Sequence, residues 1–142
     1  MKQLEKRYEQ FSHTADIGVR AFGRDLKELF SNAAFAMFDI IADLEGLKGE
    51  LEQSFELSAS DEEELLVAWL DELLYNFYTK EIIFFKFDIE ELSGTCLKAK
   101  ALGRPVGSNR NRLKTEIKAA TYSDLAIKKS DAGYSVEVIF DT

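Results

Sequence analysis

Residues Asp61 to Leu102 read DEEELLVAWLDELLYNFYTKEIIFFKFDIEELSGTCLKAKAL, and this stretch decides the fold class. Its first half predicts a helix over Asp61 to Thr79. Leu65, Leu66, Trp69, Leu70, Leu73, Leu74 and Phe77 recur at three- and four-residue spacing, which gathers them into one broad stripe. Ser60 is placed to cap the helix, with Glu63 completing a capping box. Asp61 and the three glutamates after it occupy the first turn, where the helix dipole favours negative charge. The second half changes character. Glu81 to Leu92 and Thr95 to Leu102 read as strands joined at Ser93-Gly94, a hairpin signal. A helix with a wide apolar stripe followed by a hairpin needs a sheet to lie on.

The rest of the chain repeats this alternation. A second amphipathic helix is predicted over Asp25 to Ala42, with Leu26, Leu29, Phe30, Ala33, Ala34, Met37, Phe38 and Ile41 on one face. Strands are expected at Ile17 to Gly23, Leu51 to Leu57, Thr115 to Tyr122, Leu125 to Lys129 and Tyr134 to Phe140. In the last of these, Tyr134, Val136, Val138 and Phe140 point one way, and Ser135, Glu137, Ile139 and Asp141 the other. Asp131-Ala132-Gly133 turns the preceding strand into it. Gly103 to Arg112, holding the only proline, Pro105, is expected to be a flexible loop. The expectation is an α+β fold: an antiparallel or mixed β-sheet sandwich with two amphipathic helices, forming a single domain over residues 1–142.

Composition narrows the possible functions. A chain of 142 residues, 46% hydrophobic, can bury a core without staples. Cys96 is the only cysteine, which rules out an internal disulfide and favours a reducing cytoplasm. The charged start MKQLEKRYEQ lacks an apolar signal segment, and no apolar run is long enough for a membrane span. The net charge of −8 argues against general nucleic-acid binding, which draws its affinity from Lys and Arg on phosphates. The charge is also uneven. Asp39 to Glu91 holds sixteen acids and three bases, whereas Lys98 to Lys118 holds seven bases and one acid. These are either solvated faces or a bipolar surface whose acidic side meets a basic partner.

No Walker A loop, GxGxxG, CxxC, HExxH or GxSxG is present, and one histidine with one cysteine excludes a multi-histidine zinc site. Two clusters remain. His13-Thr14-Ala15-Asp16-Ile17-Gly18 packs an imidazole, a hydroxyl and a carboxylate just before a strand. On physical grounds alone local turn chemistry is the favoured account of it, with Asp16 capping a turn, Thr14 bonding the backbone and Gly18 permitting a bulge. The sequence ends on Phe140-Asp141-Thr142, directly after the alternating strand. Either this is an exposed end, or the sheet brings the Asp141 side chain and the Thr142 α-carboxylate alongside Asp16. In the second case three anionic oxygen groups converge, which suits a hard cation such as Ca²⁺ or Mg²⁺ rather than zinc or copper.

Five motifs together resemble the archease family. They are His13-Thr14-Ala15-Asp16-Ile17-Gly18, Leu26 to Ala34 (LKELFSNAA), Leu65 to Leu74 (LLVAWLDELL), Lys118 to Tyr122 (KAATY), and the Phe140-Asp141-Thr142 terminus. The resemblance implies a site for one divalent cation, foremost Ca²⁺, held by Asp16, Asp141 and Thr142. His13, Thr14 and Lys118 would stand around it or face a partner. It also implies a non-enzymatic accessory role: assisting an RtcB-type RNA ligase in tRNA splicing and RNA repair by promoting guanylylation and turnover of the ligase. RNA would be reached only through the ligase. An alternative family role is as a chaperone or modulator of RNA-modifying enzymes such as methyltransferases. Many members carry a histidine where this chain has Ser123, so no role for that histidine carries over.

Overall fold

The computed structural model describes residues 6–13, 16–122 and 125–142, apart from the His13 side chain. In chain order its elements are β1 (Tyr8–His13), β2 (Asp16–Gly23), α1 (Leu26–Ile41), β3 (Leu51–Ser58), α2 (Glu62–Lys80), β4 (Ile82–Leu92) and β5 (Cys96–Pro105). A 3-10 helix (Gly107–Arg112), β6 (Ala119–Thr121), β7 (Ile127–Ser130) and β8 (Gly133–Asp141) follow.

Two sheets form, and every pairing among the described residues is antiparallel. One runs β1-β2-β8-β6, with β7 joining β8 further back along the edge that β6 uses. The other runs β3-β5-β4. The helices lie between them: α1 packs on β2 of one sheet and β4 of the other, and α2 on β6, β4 and β3. This layering explains a difference from the sequence expectation. The predicted stripe of α1 covers one face, yet Asn32, Ala36 and Ile40 are buried as well, because the helix is covered from two sides. Trp69 sits at the centre, edge-on to Phe55 and Phe87, with its indole N–H donating to the Phe30 carbonyl at 3.2 Å. Phe38 meets Phe77, Phe84 and Phe87 beside it.

Four local expectations are corrected. The cap of α2 is Asp61, not Ser60: its carboxylate accepts from the Glu64 N–H at 2.8 Å, and the Glu64 carboxylate accepts from the Ser60 N–H at 2.6 Å. The cap and the glutamate that returns to it both stand one residue later than predicted, and the glutamate takes the N–H of the residue before the cap. Gly103 to Arg112 is not a loose loop. β5 continues through Pro105, and a 3-10 helix follows. Gly103 is there for close packing, since a Cβ would lie 2.7 Å from both the Ile82 side chain and the Ile83 carbonyl. The strand predicted over Thr115 to Tyr122 shrinks to β6, because the Lys114 and Thr115 N–H groups turn to the Ile41 carbonyl at the end of α1. Finally, β1 was not anticipated. Tyr8 is the only large apolar residue on its inward face, where its hydroxyl donates to Asp39 of α1 at 2.6 Å and its ring meets Phe35. No helix among the described residues is long and apolar enough to cross a membrane.

Candidate functional site

The last strand is held on both sides up to its end. On one side β2 pairs with β8, with Ile17 opposite Phe140. On the other, Ala119 of β6 lies opposite Asp141, and the Lys118 N–H donates to the Asp141 carbonyl at 2.7 Å. One step outward from the Ile17–Phe140 rung, β2 carries Asp16 and β8 carries Asp141. Residues opposite one another in antiparallel strands have Cα atoms about 4.5–5.5 Å apart and side chains on the same face. Phe140 is fully buried towards the helices, so Asp16 and Asp141 belong to the opposite, outer face. Extended one residue past the Ile17–Phe140 rung, this register puts Asp16 and Asp141 on neighbouring strands at the same level, with Thr142 next in sequence.

Asp16 and Thr142 are half-buried, while Asp141 and Lys118 are exposed. Among the described residues no Lys or Arg pairs with Asp16 or Asp141. Nor do the described residues gather three or more His, Cys, Asp or Glu side chains into one cluster. The side-chain donors at the rim are thus two carboxylates, with the Thr142 backbone oxygen next in sequence. Such an all-oxygen set fits a hard cation completed by water and backbone carbonyls, and does not fit zinc. His13 lies opposite Asp16 in the β1–β2 register. Its side chain, Thr14 and Ser123 lie outside the described residues. Lys118 reaches the site through its backbone, on the far side of β8 from Asp16.

Three further features surround the rim. On the outer face, Arg20 bridges Glu9 at 3.1 Å and Glu137, joining β1, β2 and β8. Lys6 beside Glu9, with help from Arg20, holds the Glu9 carboxyl below the ordinary range. Between this ionic rung and the rim, the Phe11 ring lies on Gly18 so closely that a Cβ there would overlap the ring. On the other edge, the Asp71 carboxylate of α2 accepts from the Ala120 N–H of β6 at 2.9 Å. Burial pushes the Asp71 carboxyl above its usual range, and the hydrogen bond offsets only part of that. Tyr122, 57% exposed, is also pushed up, by burial first and then by Glu64, Asp71 and Asp61. The sequence reading missed Phe11, Arg20 and Asp71. Phe11 and Arg20 belong to a face with no covering layer to impose a pattern, and Asp71 falls between the stripe positions of α2.

The sequence matches the Archease protein family over residues 8–142. Protein archease of Methanosarcina mazei is 42% identical, with 99% of each chain covered. Protein archease of Sulfolobus acidocaldarius is 35% identical, covering 95% of this chain and 98% of that one. The solution structure of Methanobacterium thermoautotrophicum protein 1598 superposes with a TM-score of 0.84 at 34% identity, covering 96% of this chain and 99% of that one. The α+β fold predicted from the sequence is the fold of that structure. With the family matched over nearly the whole length, and with both carboxylate-bearing motifs meeting at one sheet rim, this chain belongs to the archease family.

Proposed function

We propose that this chain is a metal-binding accessory protein that activates an RtcB-type RNA ligase in tRNA splicing and RNA repair, promoting guanylylation of the ligase and its turnover. In this reading Asp16, Asp141 and a backbone oxygen of Thr142 hold one divalent cation, Ca²⁺. The ion offsets the mutual repulsion of these groups and presents positive charge at an otherwise acidic rim. His13, Thr14 and Lys118 face the partner or support the rim. The protein works in the cytoplasm, and RNA is met through the ligase. The observation that supports the reading is the β2–β8 register, whose last rung joins Ile17 to Phe140 and leaves Asp16 and Asp141 as the next residues outward, with no cationic side chain pairing with either among the described residues. Family membership supports the partner.

The test is guanylylation of an RtcB-type ligase with and without this protein, with calcium supplied or chelated. The expected result is stimulation that chelation removes, and that Asp16→Ala and Asp141→Ala each abolish while their circular dichroism stays native. Stimulation at the wild-type level by both variants would remove the cation from the account. Failure of the wild-type chain to stimulate would remove the ligase.

A further inference from the structure

The outer face of β1, β2 and β8 is built in rungs of different chemistry. Innermost is the ionic rung Glu9–Arg20–Glu137. Next comes Phe11–Gly18–Ile139, and then the rim, where His13 lies opposite Asp16 and Asp141 follows Ile139 by two residues. Across β1, β2 and β8 the middle rung is apolar, and Thr121 of β6 flanks Ile139 beyond it. Gly18 is fully surrounded, because the Phe11 ring occupies the space its side chain would take. Ile139 is only 4% exposed, although it points away from the helices and lies outside the main core cluster. The guanidinium carbon of Arg20 stands 5.9 Å from the centre of the Phe11 ring, on the side away from the rim. The ring over Gly18 and Ile139, which lies opposite Gly18 in the β2–β8 register, are together the apolar shelf of this rung.

That shelf is the nearest same-face neighbour of Asp16 and Asp141 along their strands, two residues away on each. Charges beside an apolar wall are less screened than charges in open water. Two carboxylates there repel each other more strongly when empty and attract a divalent cation more strongly. We propose that Phe11, laid over Gly18, is a positioning residue of the rim: together with Ile139 its ring shuts water out on the inner side of Asp16 and Asp141, whose outer sides stay open, and thereby sets their affinity for a divalent cation. The inference rests on the cation reading above and adds a residue to it. It also gives Gly18 a role, since any side chain there would lift the ring from the strand.

Isothermal titration of calcium into the chelator-stripped full chain tests this, with wild type, Phe11→Leu and Phe11→Gln compared. Leu and Gln are close in size and both suit this solvent-facing strand position, so they differ mainly in whether they keep the shelf dry. Thermal melts in chelator measure any change in the fold separately. Leu should bind within about threefold of wild type and Gln about tenfold more weakly, as expected if water replaces an apolar wall. Equal affinities for Leu and Gln, whether high or low, would overturn the role of the shelf while leaving the cation reading intact. A purely structural role for Phe11 would lower both melting points and leave the two affinities equal. A wild-type chain that binds no calcium would overturn the cation reading and the shelf with it.

Discussion

Asp71→Ala should loosen the strand that clasps the chain terminus. β6 is three residues long. One edge pairs with β8, and on the other the Ala120 N–H is held by the Asp71 carboxylate at 2.9 Å. A hydrogen bond to a charged group is worth about 1.5–3 kcal/mol net. Part of that is offset here, because the carboxylate is desolvated, which raises its pKa. The expected cost of Asp71→Ala is therefore about 1–2 kcal/mol, or about 3–7 °C in melting temperature for a chain of this size. Asp71→Asn keeps an acceptor oxygen without the charge, and should lie within about 0.5 kcal/mol of wild type or above it.

The pH dependence carries the sign. A carboxyl whose folded pKa is raised favours the folded state in its protonated form. Its contribution is complete below the unfolded value of about 3.9 and is lost as pH rises through the folded value. Asparagine does not titrate. The stability of Asp71→Asn relative to wild type should thus grow as pH rises from about 3.9 and level off above the folded pKa. Urea unfolding followed by Trp69 fluorescence, at a series of pH values, measures it. An Asn variant as unstable as Ala, or a gap that is flat or shrinks with pH, refutes the reasoning.

Two other perturbations probe the scaffold. Gly23→Ala should cost about 1–3 kcal/mol, occasionally more, because a Cβ there would lie 2.8 Å from the Leu29 Cα and 2.9 Å from the Asp25 carbonyl, rigid backbone at the start of α1. Gly94→Ala, with open space around it, should be neutral, and chemical denaturation of the pair makes the comparison. Trp69→Ala should cost about 3–5 kcal/mol, since it empties the junction of α1, α2 and the β3-β5-β4 sheet and removes the donor to the Phe30 carbonyl. A circular-dichroism melt within a degree or two of wild type would show that the layers do not depend on it.

The parts of the fold that were legible from sequence are those where burial imposes a period. Both helices were read to within a residue or two, because Leu65 through Phe77 and Leu26 through Ile41 repeat with the helical turn. The β4–β5 hairpin and β8 were legible for the same reason, their inward positions being apolar in alternation. β1 escaped because one tyrosine carries its whole inward contact. The helices' position between two sheets left its trace in Ala36 and Ile40, apolar residues outside the α1 stripe. At the site, Asp16 and Asp141 could be singled out because each stands at a strand end in a distinctive motif. Their relation depends on the β2–β8 register, which pairs residues 111 to 123 apart in the chain and which no local pattern encodes. Phe11, Gly18 and Ile139 become meaningful only once that register is known.

If oxygens of Asp16, Asp141 and Thr142 hold one hard cation, calcium titrated into the chelator-stripped wild type, Asp16→Asn and Asp141→Asn will show it. One ion should bind per wild-type chain, and each variant should lose that binding while unfolding cooperatively in chelator. Binding of undiminished strength in both variants, or none by the wild type, would contradict the cation reading.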